Sequence, residues 1–220
     1  MGTHSEYRRL EKRRRTLPSL DPTDDGFRRL KYCRYADDFI LGFVGPRSEA
    51  EEIKAKISAF LRGMKLILSE EKTLITHATE GKARFLGYEI YVAHADNRLT
   101  TYRRGNRTLK KRAVNGKVIL NVPRDVANEW RARYTRNGKS IHRAHLLSSS
   151  DYDIVTTFNV ELQGLLNYYA LAHNIAKRLG IVRYMCLQSL VKTLAAKHKR
   201  PTSWVYRQYT RRLENGRKVI

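Results

Sequence analysis

The chain has 220 residues, 41% of them hydrophobic and 30% charged, and 44 Lys+Arg against 21 Asp+Glu give a formal net charge of +23. That length suits one ordinary domain or two small ones, and so large a positive excess favours a polyanionic partner such as nucleic acid. Two cysteines, Cys33 and Cys186, are too few for a disulfide framework or a zinc site, and no apolar run approaches the roughly 20 residues of a membrane span.

The charge divides unevenly along the chain. Residues 1–93 hold 18 basic and 14 acidic residues, a net of +4, whereas residues 94–220 hold 26 basic and 7 acidic ones, a net of +19. We therefore expect acidic chemistry in the first part and a polyanion along the second part, with a ribosomal or chromatin-like protein as the plainer alternative. The cysteine usage and the lack of a signal peptide predict a cytoplasmic location, bacterial in the first instance, with an organelle as the alternative.

The predicted elements begin with a short basic helix over 5–16 and a loop over 17–27, where Pro and Asp favour turns. Two strand-like runs follow at 30–35 and 39–44, and three residues, Ala-Asp-Asp at 36–38, lie between them. This spacing predicts a tight β-hairpin that carries both carboxylates at its tip.

A helix is predicted over 48–62, because a capping box begins at Ser48 and apolar residues recur behind it at helical spacing. These residues are Ile53, Ile57, Phe60, Leu61 and Met64. Short apolar runs at 66–68, 74–75 and 85–92 predict further strands. A hairpin followed by a helix and more strands is typical of an α+β layer.

The second half is predicted to be basic and then helical. Residues 98–122 carry a second hairpin signal, the Asn115-Gly116 turn pair, and apolar spacing predicts helices over 124–136, 151–173 and 181–198. The resulting division is 1–27 (basic segment and loop), 28–93 (α+β layer), 94–122 (basic connector with a hairpin) and 123–220 (helical domain and basic tail).

Adjacent carboxylates between two apolar strands favour a bound divalent cation. The like charges of Asp37 and Asp38 repel each other, and Mg²⁺ takes carboxylate oxygens together with substrate phosphates. Two-metal phosphoryl transfer uses such acids. The alternative is structural, since aspartate is common in tight turns.

Five motifs stand in order along the chain. They are Tyr35-Ala36-Asp37-Asp38-Phe39, the stretch from Gly63 to Thr73, Phe85-Leu86-Gly87-Tyr88, the run FNVELQGLLNYY from Phe158 to Tyr169, and the stretch from Ser189 to Lys199. Together they resemble reverse transcriptases, and most closely those encoded by group II introns. The first resembles the catalytic hairpin, the next two resemble the motifs that follow it, and the last two resemble the thumb, or maturase domain X.

The resemblance implies a fold and a set of site residues. The fold is α+β, a partial reverse-transcriptase palm (a β-hairpin, a helix and further strands) followed by a helical thumb or maturase domain. Asp37 and Asp38 would be the catalytic acids and would bind Mg²⁺. Tyr35 would lie near the primer end, and Lys72 would help pyrophosphate leave, with a solvated turn as its alternative. The primer-grip strand would contain Phe85, Leu86, Gly87 and Tyr88.

Basic clusters in the second half are predicted to contact RNA phosphates, which Arg and Lys bind without reading sequence. The predicted RNA-binding residues are Arg103, Arg104, Arg107, Lys110, Lys111, Arg112, Lys192, Lys197, Lys199 and Arg200. Aromatic residues would offer stacking planes for unpaired bases. These are Tyr168, Tyr169, Trp204, Tyr206 and Tyr209. The alternatives are a solvated face for the charge runs and core positions for the aromatic residues.

The chain departs from the family pattern ahead of the hairpin. The family's site needs a third carboxylate on an earlier palm strand, a nucleotide-binding segment and a fingers domain, and residues 1–27 are too short and too polar to hold them. The sequence also lacks the metal-binding cysteines and histidines of the family's optional DNA-cutting domain. Polymerisation by the chain alone is therefore not expected, and whether it is an enzyme is left open.

The first functional hypothesis is an RNA-binding group II intron maturase, a fragment of an RNA-directed DNA polymerase that assists intron RNA folding and splicing. The alternative is the catalytic half of a split reverse transcriptase, which extends a DNA primer on an RNA template once a fingers-palm chain or a second copy completes it. The third hypothesis is that the chain is a gene remnant with no retained role. Expected partners are structured RNA, intron RNA above all, with Mg²⁺ and a DNA primer in the catalytic case and no membrane in any case.

Overall fold

The computed structural model describes residues 4–14, 26–95, 98–111, 116–212 and 218–219, with the side chains of all but Lys111, Arg212, Lys218 and Val219. The chain divides into two compact units, Met1–Ile119 and Leu120–Ile220. Helices and strands both contribute, so the expected α+β class is confirmed. No helix in these described ranges has the length and apolarity needed to cross a bilayer.

The first unit consists mainly of hairpins and one long helix. Its elements are α1 (His4–Arg14), β1 (Arg29–Tyr35), β2 (Asp38–Val44), α2 (Arg47–Gly63), β3 (Ala83–Phe85), β4 (Tyr88–Ala93), β5 (Thr100–Arg104), β6 (Arg107–Lys111) and β7 (Lys117–Asn121), which spans the division. Strands β1–β2 and β5–β6 are two-stranded antiparallel hairpins, and β3, β4 and β7 form one sheet in that order. The predicted basic helix over 5–16 is confirmed as α1 as far as Arg14. Its last two residues and most of the predicted loop over 17–27 lie outside the described residues.

The predicted hairpin around the two aspartates is confirmed. Tyr35 and Asp38 pair across β1 and β2, so the connection is a two-residue loop. Ala36 takes a φ of 53°, the left-handed conformation that such tight hairpin turns require. At the other end of the hairpin, Arg28 donates two hydrogen bonds, of 2.6 and 2.7 Å, to the carboxylate of Glu49. These two hydrogen bonds connect the hairpin to α2.

The predicted helix over 48–62 is confirmed as α2, but the capping box at Ser48 is wrong. The N-cap is Pro46, which makes no side-chain cap, and Ser48 lies inside the first turn. Arg47 donates instead to Glu51 at 2.9 Å, so that carboxylate serves an ion pair one turn along the helix. No residue of α2 is buried, and Phe60 is 68% exposed. The apolar face that the spacing predicts is thus partly covered within the described residues, since Ile53, Ile57 and Leu61 are half-buried whereas Phe60 and Met64 are exposed.

The short strands that follow α2 differ most from the prediction. The runs at 66–68 and 74–75 are not strands, because no strand of the described chain pairs with them, and Ile67 is 93% exposed. The run at 85–92 is not one strand but the turn and second arm of a hairpin. Leu86 and Gly87 have φ values of 47° and 70°, which reverse the chain between β3 and β4.

The second hairpin signal is placed differently from the prediction. The strand after Gly116 is confirmed as β7, but its neighbour in the sheet is β4, and the Gly116 N–H donates to the Ala93 carbonyl at 3.0 Å. The other arm, over 112–114, and Asn115 lie outside the described residues. The hairpin in the basic connector is β5–β6, which turns at Gly105 with a φ of 59°.

The second unit is mainly helical. Its remaining elements are α3 (Arg124–Ala132), β8 (Thr135–Arg136), β9 (Lys139–Ser140), a 3₁₀ turn (Ala144–Leu146), α4 (Asp151–Tyr168), α5 (Ile175–Lys197), α6 (Thr202–Tyr209), β10 (Arg211–Arg212) and β11 (Lys218–Val219). All three predicted helices exist with different bounds. The helix predicted over 124–136 ends early, since Asn137 and Gly138 take φ values of 51° and 74° and close the small β8–β9 hairpin.

Helix α5 forms the centre of this unit and packs against α3, α4 and α6. The largest fully buried side chains include Tyr134, Ile154, Phe158, Leu179, Val182, Val191, Leu194 and Val205. Two fully buried hydroxyl groups fix the segment after β9 to α5. Ser189 donates to the Ile141 carbonyl at 2.6 Å, and Thr193 accepts from the Arg143 backbone N–H at 3.0 Å. Buried polar groups are stabilising when paired in this way.

Candidate nucleic-acid interface

The acidic tip of the β1–β2 hairpin presents two adjacent carboxylates to solvent. Asp37 lies in the turn, Asp38 begins β2, and both are exposed. Tyr35, opposite Asp38, is 65% exposed. The guanidinium of Arg34 donates to the Ala36 carbonyl at 2.6 Å, which holds the turn that carries Asp37.

The donor set at this tip limits what the hairpin can bind. Among the residues that the structure describes, no group of three or more His, Cys, Asp or Glu side chains could hold a metal ion. Two carboxylates fit a Mg²⁺ ion that takes its other ligands from phosphates and water. The roles of Asp37 and Asp38 as catalytic and metal-binding residues stay predictions.

The other residues of the predicted primer and nucleotide region lie at two turns of the same unit. Lys72 is exposed in the turn at 70–72. Beside this turn, Lys54 of α2 donates to the Thr73 carbonyl at 2.7 Å and pairs with Glu70 at 3.2 Å, so α2 holds the loop in place. The predicted primer-grip residues Phe85–Tyr88 form the β3–β4 turn, with the first and last paired across it.

The first predicted RNA-binding cluster lies on the β5–β6 hairpin. Arg104 pairs across the strands with Arg107, and Arg103 and Lys110 each pair with a threonine. Because side chains alternate along a strand, Arg104 and Arg107 share one face, and Arg103 and Lys110 share the other. The hairpin is thus cationic on both faces. The side chain of Lys111 and the whole of Arg112 lie outside the described residues.

The second predicted cluster, around the end of α5, contains two lysines that are bonded within the unit and two exposed basic residues that follow the helix. Lys192 donates to the Ser140 carbonyl at 2.6 Å, and Lys197 donates to Asp151 at 2.6 Å, so both ammonium groups make contacts within the unit. Lys199 and Arg200 follow the helix and are exposed. This geometry leaves Lys199 and Arg200 better placed to reach a phosphate than Lys192 and Lys197.

The carboxylate of Asp151, the first residue of α4, links the start of that helix to the ends of α5 and α6. It accepts hydrogen bonds from Lys197 and from His198 Nε2 at 2.8 Å, and from the phenol of Tyr209. Burial acts to raise the pKa of Asp151, but these three donors outweigh it and lower the pKa to about 2. Trp204 packs between His198 and Tyr209, with ring centroids 5.3 and 6.3 Å away. Trp204 and Tyr209 are therefore structural residues of this cluster.

Tyr168 differs from the other aromatic residues proposed as stacking planes. It is 55% exposed, whereas Tyr169 is 5% exposed and packs edge-on against it at 5.0 Å. Tyr206 accepts a hydrogen bond from Gln188 at 3.0 Å. Of the five aromatic residues considered, Tyr168 presents the most ring surface to solvent.

A cationic groove that the sequence analysis missed lies beside the β8–β9 hairpin. It has a volume of about 540 Å³ and is lined by Arg133, Arg136, Ile141, His142, Arg143 and His145. Arg133 and Arg143 are paired with Glu129 and Glu161, at 2.9 and 3.0 Å. The exposed Arg136 and the two histidines are therefore the lining residues best placed to meet a phosphate. The sequence signal was present, as two basic runs at 131–136 and 142–145, but each run is too short to stand out from the many others.

Arg143 is the fixed member of this groove. Its Nη1 donates to both carboxylate oxygens of Glu161 at 3.0 Å, and its guanidinium lies 5.5 and 5.0 Å from the ring centroids of Tyr134 and Phe158. The Tyr134 phenol also donates to Glu161, at 3.0 Å. Burial first, and then Cys186 and Glu161, raise the pKa of Tyr134, and burial raises the pKa of Cys186 to about 11. The Arg143–Glu161 ion pair is thus hydrogen-bonded, and the rings of Tyr134 and Phe158 pack beside the guanidinium.

Two family models match the chain. Residues 10–90 match the reverse transcriptase (RNA-dependent DNA polymerase) model, which covers the acidic hairpin, and residues 116–215 match the type II intron maturase model, which covers the helical unit. The order of the two matches is the order that the five motifs predict.

Individual relatives agree with the family models. The group II intron-encoded protein LtrA of Lactococcus lactis is 39% identical over 198 residues, which is 86% of this chain and 32% of that protein. The COX1/OXI3 intron 1 protein of Saccharomyces cerevisiae is 33% identical over 204 residues, 88% of this chain and 24% of that protein. The chain thus spans about a third or less of the length of these curated relatives. With 39% identity to an intron-encoded protein, and with a reverse-transcriptase match followed by a maturase match, the chain belongs to the group II intron-encoded reverse transcriptase and maturase family.

Proposed function

We propose that this chain binds structured RNA, and intron RNA in particular, and so assists the folding and splicing of the intron. The observation that carries this proposal is that the maturase match, residues 116–215, covers the unit that bears the cationic groove. Lys199 and Arg200 add exposed charge to the same unit. The mechanism is binding, in which phosphate contacts hold the folded RNA in its splicing-competent shape.

The proposal extends to the fold assignment and the location. The β1–β2 hairpin, α2 and the β3–β4 hairpin stand in the order expected of a partial palm, and the helical unit corresponds to the thumb, or maturase domain. The reverse-transcriptase match ends at residue 90 and the maturase match begins at residue 116, which supports this division. A cytoplasmic location stays a prediction, because the relatives come from a bacterium and from yeast.

Binding to a structured RNA across a salt series tests the proposal. Each phosphate neutralised by Lys or Arg releases counterions, so six or more contacts lower the affinity by about a thousandfold or more between 50 and 200 mM salt. Filter binding measures this slope. An affinity that barely changes with salt contradicts binding through the basic surface.

Charge-matched variants locate the binding surface. Replacing Lys199 and Arg200 by alanine should weaken RNA binding, whereas replacing Arg47 and Lys56 should not. The control pair lies exposed on α2, in i,i+4 ion pairs with glutamates, and removes the same two charges. Exposed substitutions of this kind change the free energy of unfolding by about 0.5 kcal/mol or less. If both pairs weaken binding equally, net charge alone explains it.

The basic hairpin is tested in the same assay. Replacing Lys110, Lys111 and Arg112 together by alanine should reduce RNA affinity and flatten the salt slope, because three phosphate contacts are lost. If the triple variant binds like the parent chain, the β5–β6 cluster is a solvated face. Splicing assistance itself is read out with a group II intron precursor RNA at a Mg²⁺ concentration too low for unaided splicing.

The reverse-transcriptase match over residues 10–90 favours a second candidate, the catalytic half of a split reverse transcriptase. Asp37 and Asp38 would supply one side of a Mg²⁺ site, and a fingers-palm chain or a second copy would supply the rest. In that case the ion would help activate the primer hydroxyl and neutralise the leaving phosphates. Primer extension distinguishes this candidate from RNA binding alone.

A further inference from the structure

A second groove of the helical unit lies between α3 and α4. It has a volume of about 420 Å³ and is lined by Val126, Trp130, Val160, Glu161, Gly164 and Tyr168. We call it the aromatic groove. Its walls are apolar and aromatic, and its one carboxylate, Glu161, is already paired with Arg143 and Tyr134.

Two side-chain contacts link the walls of the aromatic groove and the cationic groove. The guanidinium of Arg133, which lines the cationic groove, lies 4.0 Å from the ring centroid of Trp130, which lines the aromatic one. Glu161 of the aromatic groove holds Arg143 of the cationic groove at 3.0 Å. The two grooves are therefore neighbours separated by these side chains, one lined by apolar and aromatic residues and the other by arginine and histidine.

Gly164 forms part of the wall of the aromatic groove. It lies in the interior of α4, where glycine is unfavourable relative to alanine. A Cβ atom built at this position would meet nothing within 4 Å, so packing within the described chain does not require glycine. A side chain there would instead occupy the groove beside Val160 and Tyr168.

We propose that the two neighbouring grooves hold one unpaired nucleotide of an RNA, with the base in the aromatic groove and the adjacent phosphate in the cationic groove. The inference rests on the proposed RNA binding and adds a preference for an unstacked base. Flat bases stack on aromatic rings, and phosphates pair with guanidinium groups. Charge complementarity favours RNA over an apolar protein segment, since Arg136 and the two histidines would stay unmatched beneath the latter.

The test compares two RNA hairpins with the same stem, one fully paired and one with a single bulged 5-iodouridine. The wild-type chain should bind the bulged hairpin about tenfold more tightly, the effect of one base–aromatic stack. Irradiation should cross-link the bulged base to Trp130 or Tyr168. Gly164→Leu, which fills the groove, should abolish the preference and leave the affinity for the paired hairpin unchanged.

Gly180→Leu is the matched control. Gly180 is also a helix-interior glycine whose Cβ would meet nothing within 4 Å, but it lies on α5 and lines neither groove. This variant should keep the tenfold preference. Circular dichroism checks that both leucine variants are folded, and the cross-link in the wild-type chain needs no variant at all.

Several results would overturn the inference. Equal binding of both hairpins by the wild-type chain would overturn it while leaving the proposed RNA binding intact, and failure to bind either hairpin would overturn both. A cross-link elsewhere, a preference that survives in Gly164→Leu, or an equal loss for both hairpins would place the base outside the groove. If Gly164→Leu instead converts an oligomer to a monomer in sedimentation, the groove holds protein and the nucleotide assignment is wrong.

Discussion

The side-chain amide of Asn174 makes to Val122 the two hydrogen bonds that a neighbouring strand would make. The Val122 N–H donates to Asn174 Oδ1 at 2.7 Å, and Asn174 Nδ2 donates to the Val122 carbonyl at 3.1 Å. Val122 is fully buried. Two residues earlier, the Leu120 carbonyl accepts a hydrogen bond from the His173 N–H at 2.9 Å. The link between α4 and α5 therefore continues the hydrogen bonding of β7.

Asn174→Ala should lower the free energy of unfolding by about 2 kcal/mol, because it leaves a buried N–H and a buried carbonyl without partners. Urea denaturation measures the change. Asn167→Ala is the control, since Asn167 is exposed on α4 and accepts one hydrogen bond from Gln163. That variant should stay within about 0.5 kcal/mol of the parent chain. Equal effects would mean that the Val122 contact contributes nothing specific.

Asp151 should make the stability depend on pH in acid. Its pKa is about 2 in the folded chain and 3.8 ordinarily, so its contribution is complete above about pH 4 and is lost as the pH falls from 4 through 2. Asp151→Asn should flatten this part of the profile and destabilise the chain at neutral pH, because Lys197 loses its carboxylate. Unfolding followed by the fluorescence of the adjacent Trp204 measures both effects.

Asp153→Asn is the matched substitution for that experiment. Asp153 lies two residues along α4, and the contact of its carboxylate is with the Ser150 hydroxyl, at 2.6 Å. The acid profile of this variant should follow that of the parent chain. A profile that flattens as much as in Asp151→Asn would show that general acid protonation, and not the Asp151 contacts, sets the slope.

Much of the secondary structure is predictable from the sequence, because local signals specify it. The β1–β2 hairpin follows from two apolar runs with three residues between them, and α2, α4 and α5 follow from apolar spacing. The runs at 66–68 and 74–75 have the composition of strands but find no partner in the described chain. A strand exists only when another segment pairs with it, and that information is not local.

The candidate site was predictable in its acidic part and not in its cationic groove. Asp37 and Asp38 are adjacent in sequence, so any tight turn exposes them together. The groove is lined by Arg133, Arg136 and Arg143, which share one wall because Asn137 and Gly138 reverse the chain and Glu161 holds the third arginine. Glu161 belongs to another helix, and a reader of the sequence cannot see that pairing. The predicted cluster at α5 failed to anticipate the contacts of Lys192 and Lys197 for the same reason.

The two cysteines should differ in reactivity. Cys33 is exposed on β1, and Cys186 is buried with a pKa raised to about 11. Iodoacetamide at pH 8 should therefore label Cys33 in the native chain, because the thiolate is the reactive form. Mass spectrometry of tryptic peptides should show the second label only after denaturation in urea. Labelling of both at equal rates would contradict the burial of Cys186.

The 220-residue chain alone should not extend a DNA primer on an RNA template. Within the described ranges Asp37 and Asp38 have no third ligand beside them, and Mg²⁺ binds weakly unless carboxylates and phosphates converge on it. Positioning supplies much of phosphoryl-transfer catalysis, so Asp37 and Asp38 by themselves are not expected to be sufficient. The assay is repeated with an added fingers-palm fragment of a group II intron reverse transcriptase.

Three results of that assay have distinct meanings. Extension by the chain alone that disappears in Asp37→Ala would contradict the prediction and indicate a third acid in the chain or in a second copy. Extension only with the added fragment would support the split-enzyme candidate. No extension in either case favours RNA binding as the function of the chain.

The pairing of Arg143 with Glu161 separates two effects of charge in the cationic groove. Because the carboxylate neutralises this guanidinium, Arg143 adds little to the electric field at a distance, whereas the exposed Arg136 contributes its full charge. Long-range charge sets how fast a polyanion arrives, and rigid contacts set how long it stays. Loss of Arg136 should therefore slow association, and loss of Arg143 should shorten residence.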